Sequence, residues 1–134
     1  MEKERTITLK GKLISGKEEG QYFLSKEGYR KQFIDKMGID PYEGTLNIKL
    51  DEKSVKKFKK IRKKSGTIIE GFIEGDQKFG LVNSFKAKIN GIKAALVIPE
   101  KSDYRKTAEF ISNTKFREKM RLKDGDEIEA KVFL

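Results

Sequence analysis

Thr45 and Asn47 are the two side chains whose types and spacing best suit chemistry. They stand in the run PYEGTLNIKL, residues 41–50, where Leu46, Ile48 and Leu50 alternate with Thr45, Asn47 and Lys49. A period of two is the pattern of a half-buried strand, so the apolar side chains point one way and the hydroxyl, amide and ammonium the other. Residues two apart on one strand face are separated by about 6.5–7 Å, which lets a threonine hydroxyl and an asparagine carbonyl converge on one small ion. Both are hard oxygen donors. A few protein oxygens, completed by water and substrate phosphates, are a common way of holding magnesium in phosphoryl-transfer sites. On periodicity alone, however, an outward Thr-x-Asn pair is more often only a solvated strand face.

Three further segments bear on the same chemistry. Gly16 and Gly20 bracket Lys17, Glu18 and Glu19, and Gln21 follows. Glycines let backbone N–H groups turn toward an anion, although such a loop is more often a plain hairpin connection. Thr114, Lys115, Phe116 and Arg117 read as the opening of a helix, where exposed N–H groups and two cations form an anion site. The plainer reading makes Thr114 an N-cap and the two cations solvated surface. Residues 53–64 hold eight basic residues in twelve, with Phe58 and Ile61 interleaved. Such a run can track a nucleic-acid backbone, but a solvated face whose apolar residues pack inward is commoner.

Around these residues the pattern predicts a strand over Thr6–Ile14, a loop at residues 15–20, a short strand at 21–24 and a helix at 25–37 that ends at Gly38. After the strand of residues 45–50, Val55, Phe58 and Ile61 recur at intervals of three, giving a short amphipathic helix or turn that ends before Gly66. Strands resume at Thr67, with turns at Gly75-Asp76 and at Asn90-Gly91, the strongest short-range hairpin signal. Residues 94–98 are nearly all apolar and read as buried on both faces. Residues 107–112 read as a short helix or extended turn, residues 114–122 as a helix with Phe116 and Met120 inward, and residues 127–134 as a last alternating strand. Seven or so short strands with few helices imply a small closed or partly closed barrel forming one domain, residues 1–134.

Composition narrows the chemistry. The chain has 134 residues, neither cysteine nor histidine, and a net charge of +10 from 31 Lys+Arg against 21 Asp+Glu. Disulfides, thiolate metal sites and histidine bases are therefore excluded. Excess positive charge favours anionic partners without choosing among them. No apolar run approaches the ~20 residues that span a bilayer, and a cytoplasmic, monomeric protein without a membrane partner is expected. No Walker A lysine motif is present, which argues against an ordinary P-loop kinase.

Pro41, Tyr42, Gly44, Thr45, Leu46 and Asn47 resemble the PxxGTLN signature of the archaeal CTP-dependent riboflavin kinase family, and the likeness extends along nearly the whole chain. The resemblance implies a mainly β fold: a six-stranded cradle-loop barrel with a few short helices, starting here without the helix-turn-helix domain that some members carry. It implies transfer of a phosphoryl group from CTP to riboflavin, releasing FMN and CDP, with Mg2+ or another divalent metal on Thr45 and Asn47. It places the nucleotide on Gly16, Lys17, Glu18, Glu19, Gly20 and Gln21 and on Thr114, Lys115, Phe116 and Arg117. It places the flavin on Ser102 and Glu109. Glu18 stands where the family has a glycine, and its carboxylate is unfavourable beside a triphosphate. Two other functions remain compatible with the residues: a basic barrel that binds nucleic acid, the less expected partner, and a flavin- or nucleotide-binding regulator without turnover.

Overall fold

A computed structural model describes residues 5–14, 24, 26–41, 45–100, 102 and 105–134. The expected glycine loop at residues 15–20 and the short strand at residues 21–24 lie outside these residues, apart from Leu24, which is helical and buried.

Nine strands are formed among the described residues: β1 (Thr6–Ile14), β2 (Thr45–Leu50), β3 (Thr67–Ile69), β4 (Phe72–Glu74), β5 (Gln77–Phe79), β6 (Val82–Ile89), β7 (Ile92–Pro99), β8 (Thr107–Ile111) and β9 (Glu127–Phe133). Six of them close into an antiparallel barrel in the order β6-β7-β8-β2-β1-β9, because β9 pairs with both β1 and β6. Closure leaves no free edge in this ring. β3 hangs on the outside of β6, and β4 and β5 form a separate hairpin. Asn90 and Gly91 take the turn between β6 and β7 with φ of 51° and 76°, the left-handed pair that a tight hairpin needs.

The alternating strands fill the barrel with one face. Leu9, Leu13, Leu46, Ile48, Leu96, Phe110, Ala130 and Val132 belong to a single interior cluster. Phe110 is fully buried there, so its truncation to alanine costs about 3–5 kcal/mol. Helix α2 (Glu52–Arg62) adds Phe58 and Ile61 to this core. Asp51 caps α2 by accepting the Ser54 N–H at 2.8 Å. Ser54 Oγ in turn accepts the Lys10 N–H at 2.8 Å, stitching the helix start to β1.

A second apolar cluster lies on the outside of the wall. Helix α1 (Glu27–Met37) lays Tyr29, Phe33 and Met37 against Val82, Ala95, Val97 and Ile111. The helix ends as the sequence predicts, with Gly38 left-handed at φ 69°. Two sequence expectations are corrected. Residues 107–111 are strand β8, with Ala108 and Phe110 inward and Thr107 and Glu109 outward. The helix expected over residues 114–122 shrinks to α3 (Phe116–Lys119), because Arg121 turns left-handed at φ 52° and ends it.

Candidate functional site

The register of the barrel wall sets the site. Asn47 stands opposite Ile14 on one side and Glu109 on the other, and Glu109 stands opposite Val97. Directly opposed residues of antiparallel strands share a face, with Cβ atoms about 4.5–5.5 Å apart. A row Ile14, Asn47, Glu109, Val97 therefore runs across the outside of the barrel, and Thr45 opposite Ile111 forms the next row. Thr45, Asn47 and Glu109 are all half-buried, and none makes a side-chain hydrogen bond or ion pair among the described residues.

Glu109 sits at a border. Val97 and Ile111, both buried beneath α1, flank it on the apolar side, and Asn47 faces it on the polar side. Charging a carboxyl next to such a cluster is unfavourable, and burial pushes Glu109 up to about 7. The wall thus offers two neutral oxygen donors, a carboxyl that resists ionisation and an adjoining apolar surface. Hydroxyl and amide oxygens are the ligands a hard divalent cation accepts, with its other positions left to water and phosphate. Among the described residues no group of three acidic, histidine or cysteine side chains competes for that role.

The segments expected around this wall meet it at different places. β1 ends at Ile14, beside Asn47, so Gly16, Lys17, Glu18, Glu19, Gly20 and Gln21 follow from that corner but lie outside the described residues. Arg117 reaches the same corner: its Nη2 donates to the Ile14 carbonyl at 3.2 Å and to Asp124 at 2.6 Å. The Thr114 N–H donates to Ser112 Oγ at 3.2 Å, and the exposed Lys115 occupies the N-cap position without a side-chain cap bond. The Phe116 side chain is buried in the barrel core, inward as the sequence predicts, and only its backbone is left to face a ligand. With only four residues, α3 is also too short to present the aligned N-terminus expected from the sequence.

Ser102 belongs to the far end of β8, in the connection from β7. Its N–H donates to the Pro99 carbonyl at 3.0 Å and its carbonyl accepts from Arg62 Nη2 at 2.8 Å. Glu109, midway along β8, separates it from Thr114 to Arg117. Two further residues near the site carried no signal in the local pattern. Asp124 holds Arg117. Asn113 bonds the segment just before Pro41, accepting the Asp40 N–H at 2.7 Å and donating to the Gly38 carbonyl at 3.1 Å. On α2, the apolar residues pack inward as expected, and Lys53, Lys56, Lys57, Lys59 and Lys60 are exposed. Among the described residues no helix is long and apolar enough to cross a membrane.

The family model described as "CTP-dep_RFKase: Domain of unknown function DUF120" matches residues 13–132. The chain is similar to a riboflavin kinase of Archaeoglobus fulgidus, 46% identical over 132 residues that make up 98% of this chain and 57% of that protein. It is similar to a riboflavin kinase of Ignicoccus hospitalis, 45% identical over 130 residues, 96% of this chain and 73% of that protein. A riboflavin kinase of Thermoplasma volcanium is 42% identical over 126 residues, 94% of this chain and 57% of that protein. The chain therefore spans 57% to 73% of the length of these relatives.

Proposed function

This chain belongs to the CTP-dependent riboflavin kinase family, and on that premise we propose that it transfers the terminal phosphoryl group of CTP to the 5′-hydroxyl of riboflavin, giving FMN and CDP. The observation that carries the proposal is the shared outer row of Asn47 and Glu109 with Thr45 beside it. Phosphoryl transfer needs positioning and charge neutralisation more than covalent chemistry, so a chain without histidine or cysteine is not handicapped. Thr45 and Asn47 would hold Mg2+, which supplies neutralisation of the phosphate charge when bound.

The chain's own residues supply the positioning. Arg117, at the corner where β1 ends, keeps a cation on the triphosphate side. Residues 16–21 and Thr114, Lys115 and the Phe116 backbone complete the nucleotide side. Glu109 faces the flavin, where a carboxyl raised to about 7 by burial is about half protonated near pH 7, and its protonated form donates a hydrogen bond without placing a full negative charge beside the incoming phosphate. Val97 and Ile111 keep water from its inner side. Ser102, at the far end of β8, marks the outer limit of the flavin region.

The test is direct. Pure protein incubated with riboflavin, Mg2+ and either CTP or ATP is expected to form FMN with CTP and much less with ATP, as resolved by chromatography of the flavins. No FMN with any nucleoside triphosphate, in folded protein across several divalent metals, overturns the kinase reading. Retained binding without turnover would instead favour a regulator that kept the site.

A further inference from the structure

Lys93, Lys88 and Lys131 stand in one line across three neighbouring strands. Lys88 of β6 is directly opposite Lys93 of β7 on one side and Lys131 of β9 on the other. All three point outward, because their strand neighbours Ala87, Ile89, Ala94, Ala130 and Val132 are in the barrel core, and all three are exposed. The arrangement costs stability, since like charges directly opposed across a sheet repel. Elsewhere on β9 the register avoids that cost, setting Glu129 against Lys10 and Glu127 against Lys12. None of the three row lysines makes an ion pair among the described residues. Opposed residues lie about 5 Å apart, so the three charges fall within roughly 10 Å, about one Debye length at 0.1 M salt, and act as one field.

Two contacts place this row beside the nucleotide segment. Ser112 Oγ donates to the Lys93 carbonyl at 2.7 Å and accepts the Thr114 N–H at 3.2 Å, joining Lys93 to the start of Thr114 to Arg117. The Asn90-Gly91 turn, which links the strands of Lys88 and Lys93, touches the other end, with Asn90 Nδ2 2.9 Å from Met120 Sδ just after α3.

We propose that the row Lys93, Lys88, Lys131 is an electrostatic guide for the nucleotide, drawing the triphosphate toward Thr114 to Arg117 and raising its rate of association without holding it in the bound complex. The inference rests on the kinase reading above. Of the two substrates only the nucleotide carries a large charge, so charge complementarity selects it over neutral riboflavin. A surface field of one sign concentrates substrate of the opposite sign and speeds its capture by roughly ten- to a thousandfold. Charges beside a site, as distinct from groups buried against the ligand, change the association rate and its salt dependence and leave dissociation nearly untouched.

Stopped-flow binding of N-methylanthraniloyl-CTP in Mg2+ tests the proposal on wild type, on the row variant Lys88→Gln with Lys93→Gln and Lys131→Gln, and on a control that loses the same charge from α2, Lys53→Gln with Lys56→Gln and Lys60→Gln. At low salt the row variant is expected to associate roughly tenfold more slowly, the lower end of such steering, with its dissociation rate and its riboflavin affinity unchanged. The control should stay close to wild type. The difference should close at about 1 M salt, where the Debye length is roughly 3 Å. The row variant relieves opposed like charges and should fold as well as wild type. Lys88→Gln alone, at the centre of the row, should show a smaller slowing and carries the comparison if the triple variant melts early. An unchanged association rate, an equal slowing in the control, or faster dissociation with association held overturns the guiding role alone. Wild type that binds neither the labelled nor unlabelled CTP in Mg2+ overturns the kinase reading instead.

Discussion

Asn47 and Glu109 face each other across the β2–β8 register, one a neutral amide and the other a carboxyl pressed against Val97 and Ile111. Their proximity matters because the two residues come from segments 62 positions apart by number (109 minus 47) and meet only because β2 pairs with β8. The wall there sets an amide oxygen beside a carboxyl that burial keeps partly protonated near pH 7.

The first prediction follows from the Glu109 carboxyl, which burial raises from 4.5 to about 7. Between those values the folded chain holds a proton that the unfolded chain has released. Stability therefore falls as pH rises through that window and levels off above it. The gap corresponds to ~3 kcal/mol at most. Urea unfolding in EDTA at pH 5 and pH 8 should show this loss in wild type, and Glu109→Gln should remove most of it. Parallel pH dependence in both proteins would show that Glu109 ionises freely.

Asn47→Leu should abolish Mg2+-dependent FMN formation while leaving the melting temperature within a few degrees. The Asn47 side chain lies on the outer face and makes no hydrogen bond among the described residues, so its loss orphans no buried partner. A magnesium series from micromolar to tens of millimolar checks it. Near-normal rates at low magnesium would remove Asn47 from the metal site.

Much of this wall could be read in the sequence. The alternation of Leu46, Ile48 and Leu50 with Thr45, Asn47 and Lys49 put the two oxygen donors on one outward face, and the barrel keeps them there. Asn90-Gly91 and the last strand were equally plain. β8 carries little strand signal because it has five residues and its alternation breaks at Ile111, an outward residue buried where α1 covers the outside of the wall. The helix after it was overestimated, since the apolar spacing of Phe116 and Met120 says nothing of the left-handed Arg121. Closure of β9 onto β6 and the grip of Asn113 on residues 38–40 join distant segments, and no local period encodes such contacts.

Gly11→Ala should destabilise the barrel by about 3 kcal/mol, toward the upper end for added core volume. A β-carbon on Gly11 would run into the Lys49 carbonyl oxygen and come within 2.7 Å of the Ile48 side chain. The obstacle is backbone of the paired strand, which cannot swing aside without opening the β1–β2 ladder. A melting temperature lowered by roughly 10 °C is expected. An unchanged one would show that β1 and β2 have room to part.

The last prediction concerns α2, whose Lys53, Lys56, Lys57, Lys59, Lys60 and, just beyond it, Lys63 and Lys64 are exposed. Arg62 is drawn away from this face, its Nη2 on the Ser102 carbonyl and its guanidinium 5.4 Å from the Phe58 ring. The face thus offers flexible point charges and no exposed aromatic on which a base could stack, since Phe58 is in the core. Attraction to nucleic acid through such a face is counterion release alone. With six or more phosphate contacts it should weaken by roughly a thousandfold or more between 50 and 200 mM salt. Fluorescence anisotropy with unrelated single and double strands should show weak, sequence-indifferent binding that disappears across that range. Lys56→Glu with Lys60→Glu, one helical turn apart, should abolish what remains and leave FMN formation unchanged. A complex that prefers one sequence and survives 200 mM salt would instead make α2 a genuine nucleic-acid surface.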